Sequence, residues 1–368
     1  MYTYKIFNNI SAEGIDCLEV NGFTKEEKNP DALLIRSQLI NEGDFNKSLK
    51  CICRAGAGVN HIPIDMATER GVVVFNTPGG NANAVKELVI CGLLLSSRGI
   101  IQGHQFAQTL LNQDADELTH LVETNKKIFK GNELKGKTIG IIGLGAIGSL
   151  LAQSVVNMDM KVIGYDPNIS IDAAWQLPKE VVKADNIKDL LSNSDYISIH
   201  VPLVEETKNL ICNDVIKFIK PGAKLINLSR GSIVNNKDIL NALENKKIST
   251  FVTDFPSPEM VKRSIKFSDV ILLPHLGAST KEAEINCAIM AAEQANNFLI
   301  NGEIINSVNF PRVRLRRTTN NRLVIVHKDE PGLIGSITGE LASKNKVSPG
   351  LSGYRLSPCR YVTSPSNM

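Results

Sequence analysis

The residues that most restrict this chain are GLGAIG at 143–148. An apolar run, KTIGIIG (137–143), leads into them, and a second, SLLAQSVVNM (149–158), follows. The first has the length and β-branched content of a buried strand, the second the period of a helix. Three glycines at this spacing between strand and helix form a dinucleotide-binding turn. Gly143 permits the tight bend, Gly145 lets a pyrophosphate approach the backbone, and Gly148 lets helix and strand pack closely. The helix N-terminus offers free N–H groups and a positive dipole end, with the backbone of Ala146 and Ile147 nearest the phosphates. Asp166 closes the next strand, 18 residues beyond Gly148. A carboxylate there accepts hydrogen bonds from the adenosine ribose and repels a 2′-phosphate, which makes NAD the expected cofactor.

The rest of the chain repeats the alternation of strand and helix. Strands are expected at 3–7, 31–36, 50–53 and 72–75, with short helices at 41–49 and 64–70. Beyond the turn, strands are expected at 161–166, 196–201, 224–229, 250–254 and 270–274, separated by the helical segments KDLLSN, NDVIKFI and NKDILNALE. Such alternation specifies an α/β fold with parallel sheets, here two doubly wound units. A long helix is expected from Asn81 to about Gln108 and another after Pro274, and both read as passing between domains. The expected organisation is a flavodoxin-like substrate domain, residues 1–94 and 276–310, interrupted by a Rossmann-type NAD-binding domain, 95–275. A length of 368 residues fits two or three domains.

Composition narrows the function classes. Basic and acidic residues number 41 and 38, a balance that gives no support to a nucleic-acid or membrane surface. The run VICGLLL (89–95) is too short to span a bilayer and reads as part of a buried helix. The N-terminal residues lack the apolar core of a signal peptide. Seven scattered cysteines show no zinc spacing. Cys51 and Cys53 form C-x-C, which is discounted because side chains along a strand alternate between faces. A reduced, cytoplasmic protein without a metal is expected.

Oxidising a secondary alcohol needs a base for the hydroxyl proton and a cation for the developing oxyanion. Arg230, Glu259 and His275 each follow an expected strand, where open α/β sheets place their ligands. Histidine is the natural acid–base group near neutral pH, a neighbouring carboxylate favours its protonated form, and arginine grips a carboxylate at two points. Taken singly, each has an ordinary structural explanation. Together, Glu259 stands 29 residues after Arg230 and His275 stands 16 after Glu259. With RAGAGVNHIPID (54–65), NTPGGNANAVKEL (76–88), GIIGLGAIGSLLA (140–152), INLSRGSIV (226–234), TDFPSPE (253–259) and PHLGASTKEA (274–283), this ordered set resembles the D-isomer-specific 2-hydroxyacid dehydrogenases over residues 1 to about 345.

The resemblance implies hydride transfer from C2 of a 2-hydroxy acid to NAD. His275 takes the proton, Glu259 pairs with His275, and Arg230 holds the substrate carboxylate or carbonyl. Asp254 would meet the nicotinamide carboxamide, and Val201 and Leu228 would line the cofactor site. An acidic, phosphorylated substrate calls for a further cation. Arg54 is placed for it, with the backbone N–H groups of Gly56 and Ala57 reaching the carboxylate and Asn81 facing the cleft or capping its helix. Arg36, Lys127 and Lys130 read as solvated. A homodimer or larger homo-oligomer is implied. The rival readings are a reductase or lactate dehydrogenase of the same chemistry, and a non-enzymatic NAD-sensing corepressor. Residues 320–345 resemble the start of an ACT domain, cut short or frame-shifted and without serine binding. The last 23 residues, 346–368, read as a disordered tail.

Overall fold

A computed structural model describes residues 1–314, 324–325 and 331–344. The chain divides into two compact units, Met1–Thr77 with Ile285 onward, and Pro78–Glu284. The first contains strands β1 (Thr3–Phe7), β2 (Thr24–Lys25), β3 (Ala32–Ile35), β4 (Cys51–Arg54) and β5 (Val73–Phe75), in the order β2-β1-β3-β4-β5 with every pairing parallel. This is the flavodoxin-like order. All four residues of β3 are buried, as a central strand covered on both faces requires. Ala32, Leu34, Cys51, Cys53, Val73 and Phe75 face one core, which the helix Lys281–Asn301 completes through Cys287, Ala291, Ala295 and Leu299. Leu33, Ile35, Ile52 and Val74 face the other.

Cys51 and Cys53 therefore share a face, their buried sulfurs 4.0 Å apart. Alternation separates nearest neighbours and leaves residues i and i+2 together, so the expectation that it would part these two thiols fails. Burial and the adjacent Cys51 push the Cys53 thiol well above its ordinary pKa, which keeps it unreactive.

The second unit holds β6 (Thr138–Ile142), β7 (Lys161–Tyr165), β8 (Val181–Lys183), β9 (Tyr196–Ile199), β10 (Ala223–Asn227), β11 (Ile248–Thr253) and β12 (Val270–Leu272). Their order is β12-β11-β10-β9-β6-β7-β8, again parallel throughout. Strand order reverses between β6 and β9, the crevice where doubly wound sheets bind ligands. The helix Ala82–Ser97 packs into this unit, with Val85, Val89 and Leu93 in one core with Leu151, Val155, Ile226 and Val252. The unit thus begins well before residue 95, because the helix buries its apolar face on β10 and β11.

The structure departs from the expected elements at three places. The helix expected at 41–49 is a single turn, Glu42–Asp44; beyond it Asn46 Oδ1 accepts from the amides of Ser48 and Leu49 and diverts the backbone from a helix. The long helix from Asn81 breaks at Arg98, which is extended, and resumes over Ile100–Thr109. Gly99 sits at the break because a Cβ there would lie 3.1 Å from Phe129 Cα. Between the long helix and β6, where the sequence pattern suggests no element, a helix Ala115–Asn125 is capped by Asp114 and has no buried residue. Of residues 320–345, the described part includes a helix, Leu333–Ser343, with no buried side chain. The expected tail at 346–368 lies outside the described residues. Among the described residues, no helix is long and apolar enough to cross a membrane.

Candidate active site

The glycine turn sits at the carboxyl end of β6, beside the reversal of strand order. Gly143 has φ +92°, and a Cβ there would lie 2.8 Å from the His200 carbonyl. A Cβ on Gly148 would lie 2.0 Å from Gly143 O, so only glycine lets the helix Ala146–Val156 approach the strand this closely. Gly145 differs, since nothing lies within 4 Å of its missing Cβ. Gly145 and Ala146 are exposed and Ile147 is half-buried, so the helix N-terminus opens to solvent. Its first amides have no partner within the helix, the arrangement in which a helix N-terminus receives an anion. Asp166 accepts from the Leu144 amide through Oδ2 at 2.9 Å and from the Asn168 amide through Oδ1 at 3.0 Å. The carboxylate is thereby pinned beside the turn it was expected to serve. Asn81, at the start of its helix, makes no side-chain cap bond, so its amide stays available. Gly79, two residues earlier, would bring a Cβ to 3.4 Å from Ala146 Cβ, which places this loop at the same helix N-terminus.

The strand ends after β10, β11 and β12 supply the charged groups. Arg230 donates through Nη1 to Ser229 O at 2.6 Å, while its own carbonyl accepts from Asn227 Nδ2 at 2.9 Å. Asp254 is 1% exposed. Its Oδ2 accepts from the Gly277 amide at 3.0 Å, and its Oδ1 is buried without a partner. Burial raises the Asp254 carboxyl above its ordinary pKa, against the Gly277 amide and the nearby His275 and Arg230 side chains. The structure thus brings Arg230, Asp254 and His275 together. His275 donates its amide to Asp254 O at 3.0 Å and adopts φ +51°, which holds the exposed ring against Phe255 at a centroid distance of 5.1 Å. A left-handed histidine is uncommon and costs about 1 kcal/mol.

Glu259 stands apart from this group. It lies in the first turn of the helix Pro258–Lys266, and Ser257 Oγ donates to its Oε2 at 3.0 Å. Its own amide and the Ser257 hydroxyl hold the carboxyl below its ordinary pKa. Among the described residues no hydrogen bond or ion pair joins it to His275, so the expected pairing is not formed in this structure; the helix start supplies the nearer donors. Val201 flanks the turn, its Cγ1 3.0 Å from where Gly143 would carry a Cβ; Leu228 is buried, with its carbonyl 3.9 Å from where Gly277 would carry one.

In the first unit, Arg54 ends β4 and donates from Nε to Arg36 O at 3.1 Å. Its guanidinium lies across Gly56, where a Cβ would meet Nη1 at 2.6 Å. The Gly56 amide donates to Thr77 Oγ1 at 2.7 Å and is therefore engaged, which removes it from the expected anion contacts. The Ala57 amide has no acceptor among the described residues, although its carbonyl accepts from Asn76 Nδ2 at 2.6 Å. Lys127 and Lys130 are exposed and Arg36 is half-buried.

Sequence reasoning missed Thr77 and His200. Thr77 is fully buried and fixes the loop after β4. The only signal was its place in NTPGG. His200 continues β9 beneath Gly143; its Nε2 meets Ser198 Oγ at 2.8 Å and its Nδ1 is buried without a partner. Burial pushes its pKa down to about 4. The residues fit a bound dinucleotide: a helix N-terminus open at Gly145, a pinned Asp166 and an orphaned carboxylate oxygen on Asp254.

Comparison with known proteins is in accord with this geometry. The model of the D-isomer-specific 2-hydroxyacid dehydrogenase NAD-binding domain matches residues 93–277. D-3-phosphoglycerate dehydrogenase of Archaeoglobus fulgidus is 34% identical over 325 residues, covering 83% of this chain and 58% of that protein. The enzyme of that name from Escherichia coli K12 is 32% identical over 310 residues, covering 82% and 71%. An NAD+-bound 3-phosphoglycerate dehydrogenase from Entamoeba histolytica superposes with a TM-score of 0.64 at 25% identity, covering 84% of this chain and 99% of that one. The chain spans about half the length of several curated relatives, 49–58% of four of them.

Proposed function

The chain belongs to the D-isomer-specific 2-hydroxyacid dehydrogenase family, and from that premise we propose that it oxidises 3-phospho-D-glycerate to 3-phosphooxypyruvate with NAD, the first step of L-serine synthesis. The observation that carries this reading is the gathering of Arg230 and His275 around the buried Asp254, at the sheet edge that also holds the glycine turn. The phosphorylated substrate is supported by Arg54 and by relatives that bear that enzyme's name.

In the proposed reaction His275 takes the C2 hydroxyl proton, and its exposed ring is free to do so. Arg230 holds the substrate carboxylate and steadies charge on the carbonyl oxygen as it forms. Glu259 leaves Ser257 to pair with His275 and stabilise the imidazolium. Bound NAD supplies the hydride acceptor. Asp254 Oδ1 receives the carboxamide N–H groups, and Gly145, Ala146, Ile147 and Gly148 hold the pyrophosphate. Asp166 takes the ribose hydroxyls, while Val201 and Leu228 flank the ring. Arg54, the Ala57 amide and Asn81 complete the substrate contacts. Nucleotide binding is assigned to the unit Pro78–Glu284, in place of the expected 95–275, and substrate binding to Met1–Thr77 with the chain from Ile285, in place of the expected 1–94 with 276–310. The scattered cysteines support a cytoplasmic protein and the family resemblance a homo-oligomer; the partners are small molecules, since the balanced charge gives no support to a nucleic-acid or membrane surface.

NAD reduction with 3-phospho-D-glycerate, D-glycerate and D-lactate, in the native chain and Arg54→Ala, tests the assignment. The phosphorylated acid is expected to be strongly preferred. Arg54→Ala is expected to reduce its kcat/KM by at least ~30-fold, the equivalent of losing ~2 kcal/mol from a desolvated charge pair. Equal rates on D-glycerate overturn the substrate; tight NADH binding without turnover overturns the enzyme.

A further inference from the structure

Lys137, Lys220 and Lys224 converge at the amino ends of β6 and β10, the edge of the parallel sheet opposite the glycine turn. With Asn132, Asp195 and Tyr196 they line a cavity of about 160 Å³. The charges in its wall do not balance. Asp195 is the one acid in the lining, and both of its oxygens are committed: Oδ1 accepts from Lys220 Nζ at 2.6 Å and Oδ2 from the Thr138 amide at 2.9 Å. Lys137 and Lys224 are half-buried, and neither has an ion-pair partner among the described residues. Lys224 rests its ammonium over the Tyr196 ring, 5.0 Å from the centroid, rather than on a carboxylate. Burial and the nearby Lys137 charge lower the Lys224 pKa, with Asp195 acting against them.

Two lysines without an ion-pair partner lining one partly enclosed space favour a divalent anion there. The space has room for about five waters at ~30 Å³ each. That is well below the ~300 Å³ of the smallest common organic-ligand pockets. A tetrahedral dianion meets three converging donors at once, whereas a dicarboxylate would spread its charges beyond them. We propose that this cavity binds a compact phosphate dianion, either inorganic phosphate or the head of a small phosphate monoester, separately from the nucleotide and substrate sites. Such an anion ties the starts of β6, β9 and β10 together. The inference does not rest on the proposed reaction.

Isothermal titration at low ionic strength tests it, with inorganic phosphate and glycerol 3-phosphate as probes. The Arg54→Ala chain saturated with NADH serves as host, so that the other anion sites are removed or filled. One phosphate per chain is expected. Lys224→Met and Lys137→Ala in that host are each expected to weaken binding at least 10-fold, and Lys127→Ala to leave it unchanged. Equal binding of glycerol 3-phosphate assigns the site to the ester head, and its exclusion assigns it to the free ion. Without phosphate, Lys224→Met is expected to melt no lower than its parent, because an unpaired half-buried charge has gone. Phosphate is then expected to raise the Tm of the parent and not that of the variant. Absence of phosphate binding, or binding and Tm rises that persist in both lysine variants, overturns the proposal.

Discussion

The glycine turn invites a paired substitution, because two of its glycines have opposite surroundings. In Gly148→Ala the new Cβ would begin 2.0 Å from Gly143 O and 3.0 Å from Gly143 C, both backbone atoms. A comfortable carbon–oxygen contact is ~3.3 Å, so helix and turn must part by about 1.3 Å. Overpacking against atoms that cannot rotate away costs up to ~3 kcal/mol, offset by ~1 kcal/mol of helix propensity gained over glycine. A net loss of ~2 kcal/mol lowers Tm by about 4–8 °C for a domain of this size. Displaced helix amides also lose a charge-assisted hydrogen bond to the pyrophosphate, worth at least ~1.5 kcal/mol, so the NADH Kd rises about 10-fold or more. In Gly145→Ala the Cβ enters open space at φ −70°, which alanine tolerates. Its stability loss is below ~1 kcal/mol, from the poorer N-cap residue alone, yet its Cβ occupies the pyrophosphate's approach. Calorimetric melting and NADH fluorescence titration separate the two. Weak NADH binding is expected in both variants and a lowered Tm in Gly148→Ala. A Gly145→Ala chain that binds NADH normally, or a Gly148→Ala chain that melts normally, refutes the assignment of roles.

Three further outcomes follow from the same geometry. His200 has a folded pKa near 4 against an ordinary value of 6.5. The unfolded chain therefore binds more protons between those values, and stability falls as pH is lowered from 6.5 to 4, by up to ~3 kcal/mol; urea unfolding of His200→Gln over that range should lack this slope. Asp166→Ala should lower the NADH-to-NADPH ratio of kcat/KM by at least ~10-fold, the effect of removing like-charge repulsion of ~1.4 kcal/mol or more, and an unaltered ratio assigns selectivity elsewhere. Glu259→Gln should move the acidic limb of the kcat/KM profile to lower pH, because the carboxylate no longer favours the imidazolium. An unmoved limb would mean that Glu259 never reaches His275.

The parts of the fold legible in the sequence are those where burial covers both faces of an element. β3 and β6 read as nearly continuous apolar runs because a central parallel strand is covered on both faces, and β9 admits the buried Ser198 with His200 Nε2 as its hydrogen-bond partner. Edge strands lack that constraint: β2 is only Thr24–Lys25 and β8 is Val181–Lys183, and their neighbours decide their pairing. Helix Ala115–Asn125 was invisible for the same reason, since no side chain in it is buried. In the site, residue types and order were legible, whereas hydrogen-bond partners were not. The engagement of Gly56 by Thr77 is a contact across 21 residues, and the hold of Ser257 on Glu259 depends on where a helix begins. Asp254 shows the limit most clearly: its position followed from pattern, but its unpartnered oxygen followed only from packing.

The core under β1, β3, β4 and β5 has a consequence for how the chain is made. Its covering residues, Cys287 to Leu299 and then Ile304, come from beyond residue 284. About 200 residues of the other unit are synthesised first. At ~5–20 residues per second, the ribosome leaves that sheet face uncovered for roughly 10–40 s, longer than most small domains take to fold. The unit begun first is therefore finished last, and Gly14, where a Cβ would strike the Ala288 backbone at 2.8 Å, is the point at which the late helix must find its seat.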